Sequence, residues 1–205
     1  MQPIVDCSGR LLCYELFSGV ARADWSDATA CVAADLRTLD VIKGLHFQPK
    51  GALAVNISFL SAMTIGLEWI QALAGLMRPG WVVEVTEHGV RPEMSRRLVD
   101  FCRVLTDAGL ILALDDCTHG HLYGSRQFWR DSRASIIKVN IHDPSVESLA
   151  LTAKGEALSL FIENVETAAD YRRALALGAA GVQGWFIGLP TPVSHQPKLR
   201  HVDFA

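Results

Sequence analysis

The amino-acid sequence predicts an α/β barrel. Three observations carry that expectation. Strand-like apolar runs alternate with amphipathic helical stretches along the chain. Run after run stops at a carboxylate, an amide or a lysine: LLCYE, LAVN, WVVEV, LILALDD, SIIK, LSLFIE and AAGVQ carry Glu15, Asn56, Glu84, Asp115 with Asp116, Lys138, Glu163 and Gln183 at or near their ends. In parallel barrels the C-terminal ends of the strands form the mouth where chemistry is done. Finally, no linker, repeat or low-complexity segment interrupts the 205 residues, a length that suits one sizeable core and one domain, residues 1–205.

The opening is a predicted hairpin: QPIV is one strand, Asp6 to Arg10 with Ser8-Gly9 the turn, and LLCYELF the second strand. A helix is expected from about Asp24 to Ile42. Asp24 or Ser26 caps it, Val32, Leu36 and Leu39 share one face at helical spacing, and Gly44 and Pro49 end it. Asp24, Asp27 and Asp35 are then its solvated side. LAVNI is the next strand, followed by a loop and an amphipathic helix around Trp69 to Met77. The stretch from Ala52 to Met77 is largely apolar, but Asn56, Glu68 and Gln71 lie within it and Gly66 interrupts it. A charge near the centre of a spanning helix is costly, so no membrane span is expected.

WVVEV leads to a helix from Pro92 through Ala108, where Met94, Leu98, Phe101 and Leu105 form a core-facing stripe. ILALDD is a strand bounded by the loop CTHGH, and the segment around Phe128 and Trp129 fits either class. SIIKV is a short strand, Ser145 to Lys154 a short helix, and LSLFIE a strand. Thr167 opens a T-x-x-D capping box with Asp170 on a helix that stops at Gly178, and GVQGWFI closes the series.

Composition narrows the function. With 50% hydrophobic and 20% charged residues, the chain is not a disordered one. Its net charge of −3 argues against a broad DNA- or RNA-binding surface, while leaving room for a small nucleotide held through metal ions. The five cysteines are odd in number and form no CxxC pair, which together with the missing signal peptide points to a reduced, cytoplasmic setting. Cys117, beside the Asp pair, reads as a passive thiol. Buried carboxylates repel one another unless a cation or proton sits between them, so the carboxylates at the strand ends, with a lysine and amides, point to a divalent-metal hydrolase site. His119 and His121 form an H-x-H pair that reads as solvent-facing loop before it reads as a zinc site, and His142 and His195 read as surface residues. Glu166 reads as a residue ahead of a helix cap.

The ordered motifs resemble the EAL domain family, bacterial phosphodiesterases that open cyclic di-GMP to linear pGpG. QPIVD resembles the family's first strand, and CYELF stands where the EAL motif belongs, with Glu15 kept. AVNIS resembles VNLS, VEVTE the E-x-T-E strand, and ALDD the start of DDFGTG. IIKVN resembles the lysine strand, IENVET resembles AEGVET, and VQGWFIGLP the closing QGY-type strand. The resemblance runs from Gln2 to about Pro192. It implies a TIM-like (β/α)8 barrel of EAL type with an antiparallel first strand, here with some helices shortened. It implies two ions, Mg2+ or Mn2+: Glu15, Asn56, Glu84 and Asp115 hold one, and Asp115 bridges to a second held by Asp116 and Glu163. Lys138 orients or deprotonates the water, and Gln183 arranges the water network. Glu87 anchors the loop after the Asp pair, while Gln2 and Pro3 line the substrate groove. Trp185 and Phe186 either stack on a guanine or pack against the barrel rim.

Several positions depart from the family pattern. The DDFGTG loop reads Asp116-Cys117-Thr118-His119-Gly120 after Asp115, and the arginine that grips a substrate phosphate is Gly19. The aspartate after the lysine is Asn140, and the glycine of AEGVE is Asn164. Three functions follow as alternatives: a cyclic di-GMP phosphodiesterase, favoured by the complete ligand set; a catalytically weak cyclic di-GMP receptor; and a protein-interaction module. A homodimer through the face near the Asp loop is a further expectation.

Overall fold

The computed structural model describes residues 1–17, 26–44, 52–78, 80–86 and 91–193. Gly19, Asp24, Pro49, Glu87 and His195 lie outside the described residues, so the position that lacks the family's phosphate-gripping arginine, one of the two expected helix caps and the expected loop anchor lie outside them too.

Eight strands close into one barrel in sequence order: β1 (Gln2–Val5), β2 (Leu11–Leu16), β3 (Ala52–Ser58), β4 (Val82–Thr86), β5 (Ile111–Leu114), β6 (Ile136–Asn140), β7 (Ser159–Glu163) and β8 (Gly181–Gln183). β1 is antiparallel to both its neighbours, β2 and β8, and every other pair is parallel. The predicted hairpin and the antiparallel first strand are therefore both present. The turn is held by Asp6, whose carboxylate accepts from the Ser8 and Arg10 amides.

Helices cover the outside: α1 (Ala28–Lys43), α2 (Phe59–Ile65), α3 (Leu67–Leu76), α4 (Ser95–Asp107), α5 (Arg126–Ser132), α6 (Val146–Gly155) and α7 (Ala168–Ala176). α2 and α5 have seven residues each, while α1 and α6 have 16 and 10. α4 buries Leu98, Phe101 and Leu105, with Met94 half-buried against the same core, as the stripe predicts. The capping box on α7 is present in both directions, Thr167 to Asp170 and back.

The first helix corrects the sequence reading. Its cap is Asp27, whose side chain accepts from the Thr29 amide, and it starts at Ala28. It buries Cys31, Ala34, Asp35, Thr38, Leu39 and Ile42, while Leu36 is 45% exposed. Of the expected face only Leu39 is buried, and the barrel-facing side includes the two polar residues Asp35 and Thr38. Asp35, expected in solvent, is buried. A second correction concerns the loop expected after β3: Ser58 caps α2 directly, with its hydroxyl accepting from the Ser61 amide. The ambiguous stretch around Phe128 and Trp129 is helical, capped by Ser125. Among the described residues no helix is long and apolar enough to cross a membrane.

Candidate active site

Side chains two residues apart on a strand share a face, and that simple period builds the site. One layer of the barrel interior is apolar: Ile4, Cys13, Ala54, Val82, Ala113, Ile136 and Phe161. Advancing each parallel strand by two residues from that layer reaches Glu15, Asn56, Glu84, Asp115, Lys138 and Glu163 in turn. β8 contributes Gln183 in the same way from Gly181, where a Cβ would overlap the Phe161 ring. β1 runs the other way, so the step from Ile4 goes back to Gln2. The polar layer at the C-terminal mouth is thus a second storey on an apolar floor.

Lys138 occupies the centre of that storey. Its Nζ lies 2.8 Å from Glu84, 2.8 Å from Glu163, 3.1 Å from Asp115 and 3.4 Å from Glu15. Glu15 also accepts from Asn56 Nδ2 at 2.7 Å and Gln183 Nε2 at 2.6 Å. Gln183 donates onward to Gln2, and Gln2 donates to the Gly188 carbonyl. Above the ring opens a pocket of about 270 Å³, whose lining includes Glu15, Asp115, Asp116, Glu163, Glu166 and Trp185.

The electrostatics follow from one ammonium facing four carboxylates. Burial opposes the charge on Lys138, but Asp115, Glu15, Glu163 and Glu84 together raise its pKa well above the usual lysine value. Burial lifts Glu84 well above the carboxylate range despite the nearby Lys138. Glu163 is pushed up to about 8 and Asp115 to about 6, first by burial and then by neighbouring carboxylates, with Lys138 opposing. Glu15 is lowered overall: burial works upward, but Lys138, Gln183 and Asn56 outweigh it.

Among the described residues no three His, Cys, Asp or Glu side chains form a ready-made metal cage, because the carboxylates gather round Lys138 instead. The donor chemistry nonetheless fits a hard cation. The donors are oxygens, and negative charge exceeds positive in the ring. Gln183, on the pocket wall, also leaves its Oε1 buried without a hydrogen-bond partner.

The other expected residues are placed as follows. Asp116 lines the pocket at φ 46°, in the left-handed region. Gln2 lines the pocket, whereas Pro3 is buried opposite Tyr14 and is not in the lining. Trp185 is 57% exposed at the pocket wall, while Phe186 packs against Tyr171. Asn164 takes φ 56°, the conformation a glycine would favour, which asparagine tolerates better than most residues. Asn140 closes a turn by accepting from the His142 amide. His119 bonds Ser148 at 2.8 Å, and His121 caps the turn at Tyr123. Cys117 is buried, with burial pushing its thiol well above the usual value, in keeping with a passive role.

Sequence reasoning missed Phe17, which lines the pocket, and assigned Glu166 only to the approach to a helix although it lines the pocket too. The period of two would have found Phe17, which follows Glu15 on the same face. It also missed Asp35, whose carboxylate accepts from the Ser58 amide at 3.1 Å and is pushed by burial up to about 7.

No protein-family model and no curated protein matches the sequence. Solved structures do. A cyclic di-GMP complex of the PaMucR phosphodiesterase superposes with a TM-score of 0.73 at 18% identity, over 94% of this chain and 96% of that one. The EAL domain of Mycobacterium smegmatis DcpA gives a TM-score of 0.66 at 22% identity, over 94% and 90%. Bacillus subtilis YkuI, solved with cyclic di-GMP and calcium, gives 0.68 at 16% identity, over 98% of this chain and 55% of that one. A closed eight-stranded barrel with one antiparallel strand and these superpositions lead to one conclusion: the chain has the fold of an EAL-type domain.

Proposed function

We propose that the protein is a metal-dependent phosphodiesterase that hydrolyses cyclic di-GMP to linear pGpG. The observation that carries this reading is the ring of four carboxylates round Lys138 at the C-terminal mouth of an EAL-type barrel. In this proposal Glu15, Asn56, Glu84 and Asp115 hold one Mg2+ or Mn2+, and Asp115, Asp116 and Glu163 hold a second. Two such ions, when bound, lower the pKa of a water and offset charge on the phosphate.

The chain's own residues do the rest. Lys138, kept protonated by its four neighbours, orients the attacking water and offsets the carboxylate charge; its raised pKa favours that role over acting as the base. Water oxygen bonds to phosphorus as the bond from phosphorus to the 3′ oxygen breaks, and the proton that the water gives up ends on that oxygen as the 3′ hydroxyl. Gln183 and Gln2 form a hydrogen-bonded wall that fixes the first carboxylate, Glu15. Trp185 offers a ring for a guanine face.

A second reading is favoured by the altered Cys117–Gly120 loop and by Gly19: a receptor that binds cyclic di-GMP and turns it over poorly. One experiment separates the two. Cyclic di-GMP is incubated with the purified protein in Mg2+ or Mn2+, and pGpG is sought by chromatography, with Glu15→Ala alongside. Product from the wild type alone supports the phosphodiesterase. Binding without product supports the receptor.

A further inference from the structure

The turn carrying Asp115 and Asp116 is fastened on both sides by its own backbone amides. Asp115 N donates to the Val85 carbonyl at 3.2 Å, and Cys117 N donates to the Lys138 carbonyl at 2.9 Å. Between them Asp116 sits at φ 46°, in the left-handed region, which aspartate adopts more readily than most non-glycine residues. Beyond Cys117 the chain doubles back. His121 N donates to the Thr118 carbonyl, and Gly124 lies so close to that carbonyl that a Cβ would overlap it.

Seven residues beyond Asp116, Tyr123 is fully buried. Its hydroxyl donates to the Thr86 carbonyl at 3.0 Å. Thr86 is the last residue of β4, two positions beyond Glu84. The Tyr123 ring stacks on Phe128 with centroids 5.4 Å apart and planes 10° from parallel, and its carbonyl accepts from the Trp129 indole N–H. A buried ring held on two sides, with one polar atom spent on a strand end, is built to fix position rather than to fill space.

We propose that Tyr123 is a positioning residue for the carboxylate ring. Its hydroxyl fastens the Asp115–Asp116 turn to the end of β4, and so sets the geometry in which the carboxylates take a divalent cation. This role rests on the metal-dependent reading above.

Tyr123→Phe removes one oxygen and leaves the ring stack intact. The full-length chain and this variant are titrated with Mn2+ by calorimetry, and amide exchange is followed at Asp115 and Cys117. Turnover of cyclic di-GMP is resolved into kcat and KM. The expected result is Mn2+ affinity weakened roughly 10-fold, the scale of losing a hydrogen bond that orients a metal ligand. A comparable fall in kcat, little change in KM and faster exchange at Cys117 should accompany it. Gly124→Ala, which crowds the Thr118 carbonyl, should weaken Mn2+ binding in the same direction. A variant that binds Mn2+ as tightly as wild type overturns the role, even if its melting temperature falls, because that outcome is purely structural. Failure of the metal-dependent reading looks different: neither protein binds Mn2+, and the role falls with it. If both bind Mn2+ and the wild type releases no pGpG, only the hydrolytic reading falls, and the affinities still decide on Tyr123.

Discussion

Lys138→Met is the sharpest test of the ring. Methionine keeps much of the stem's volume and removes the ammonium that now lies 2.8–3.4 Å from four carboxylates. Taking one partner from a buried ion pair costs about 3–5 kcal/mol. In a domain of this size each kcal/mol moves the melting temperature by about 2–4 °C, so a fall of about 6–20 °C is expected. The pH dependence has a defined sign. Glu163 already titrates at about 8 and Asp115 at about 6 in the folded chain, above ordinary carboxylates. Without Lys138 both rise further, so the folded variant holds protons that the unfolded chain releases. Its stability therefore drops as pH rises, and the deficit against wild type is small at pH 5 and largest at pH 8. The assay is thermal melting of both proteins with a chelator at the two pH values, then with Mn2+. The ion should restore more of the loss in the variant, because it resupplies the missing positive charge. Equal melting temperatures at pH 8 in chelator would refute the reasoning, since Lys138 would then not be the counter-charge of the ring.

Three further outcomes are expected. Glu15→Ala should bring pGpG release to background while the melting curve stays cooperative; retained turnover would contradict the metal assignment. Asp35→Asn should flatten the pH dependence of stability. The folded pKa of Asp35, about 7, exceeds that of an unfolded aspartate, so wild-type stability is lost as pH rises between about 4 and 7. The variant should be more stable than wild type at pH 8 by up to a few kcal/mol, with the advantage gone at pH 4, as thermal melts at both pH values would show. Gly19→Arg should tighten cyclic di-GMP binding about 10-fold in Ca2+, the scale of a charge-assisted hydrogen bond, as measured by calorimetry. An unchanged affinity would show that no phosphate grip was missing there.

The barrel and its polar ring were legible because both are written in a period of two. Six strands show an apolar residue followed two places later by the site residue: Cys13 then Glu15, Ala54 then Asn56, Val82 then Glu84, Ala113 then Asp115, Ile136 then Lys138, and Phe161 then Glu163. A closed barrel turns that local alternation into two layers, so no long-range information is needed to know that these side chains meet. The antiparallel first strand was legible for an equally local reason, the Asp6–Arg10 turn.

Contacts that join distant segments through the backbone were not legible. Asp35 looks like any exposed helix aspartate until the Ser58 amide, 23 residues away, approaches its carboxylate. Of Val32, Leu36 and Leu39, which satisfy a helical spacing, only Leu39 is buried; it shares the barrel-facing side with Cys31, Ala34, Asp35, Thr38 and Ile42, while Leu36 faces outward. The loop after Asp116 is the same kind of case. Its sequence departs from DDFGTG at Cys117, Thr118 and His119, yet the turn is held by the Lys138 and Val85 carbonyls, and Tyr123 further along by that of Thr86, acceptors that any residue would supply. What a backbone acceptor demands is a donor at the right distance, and that demand leaves no mark on the sequence of the strand that makes it.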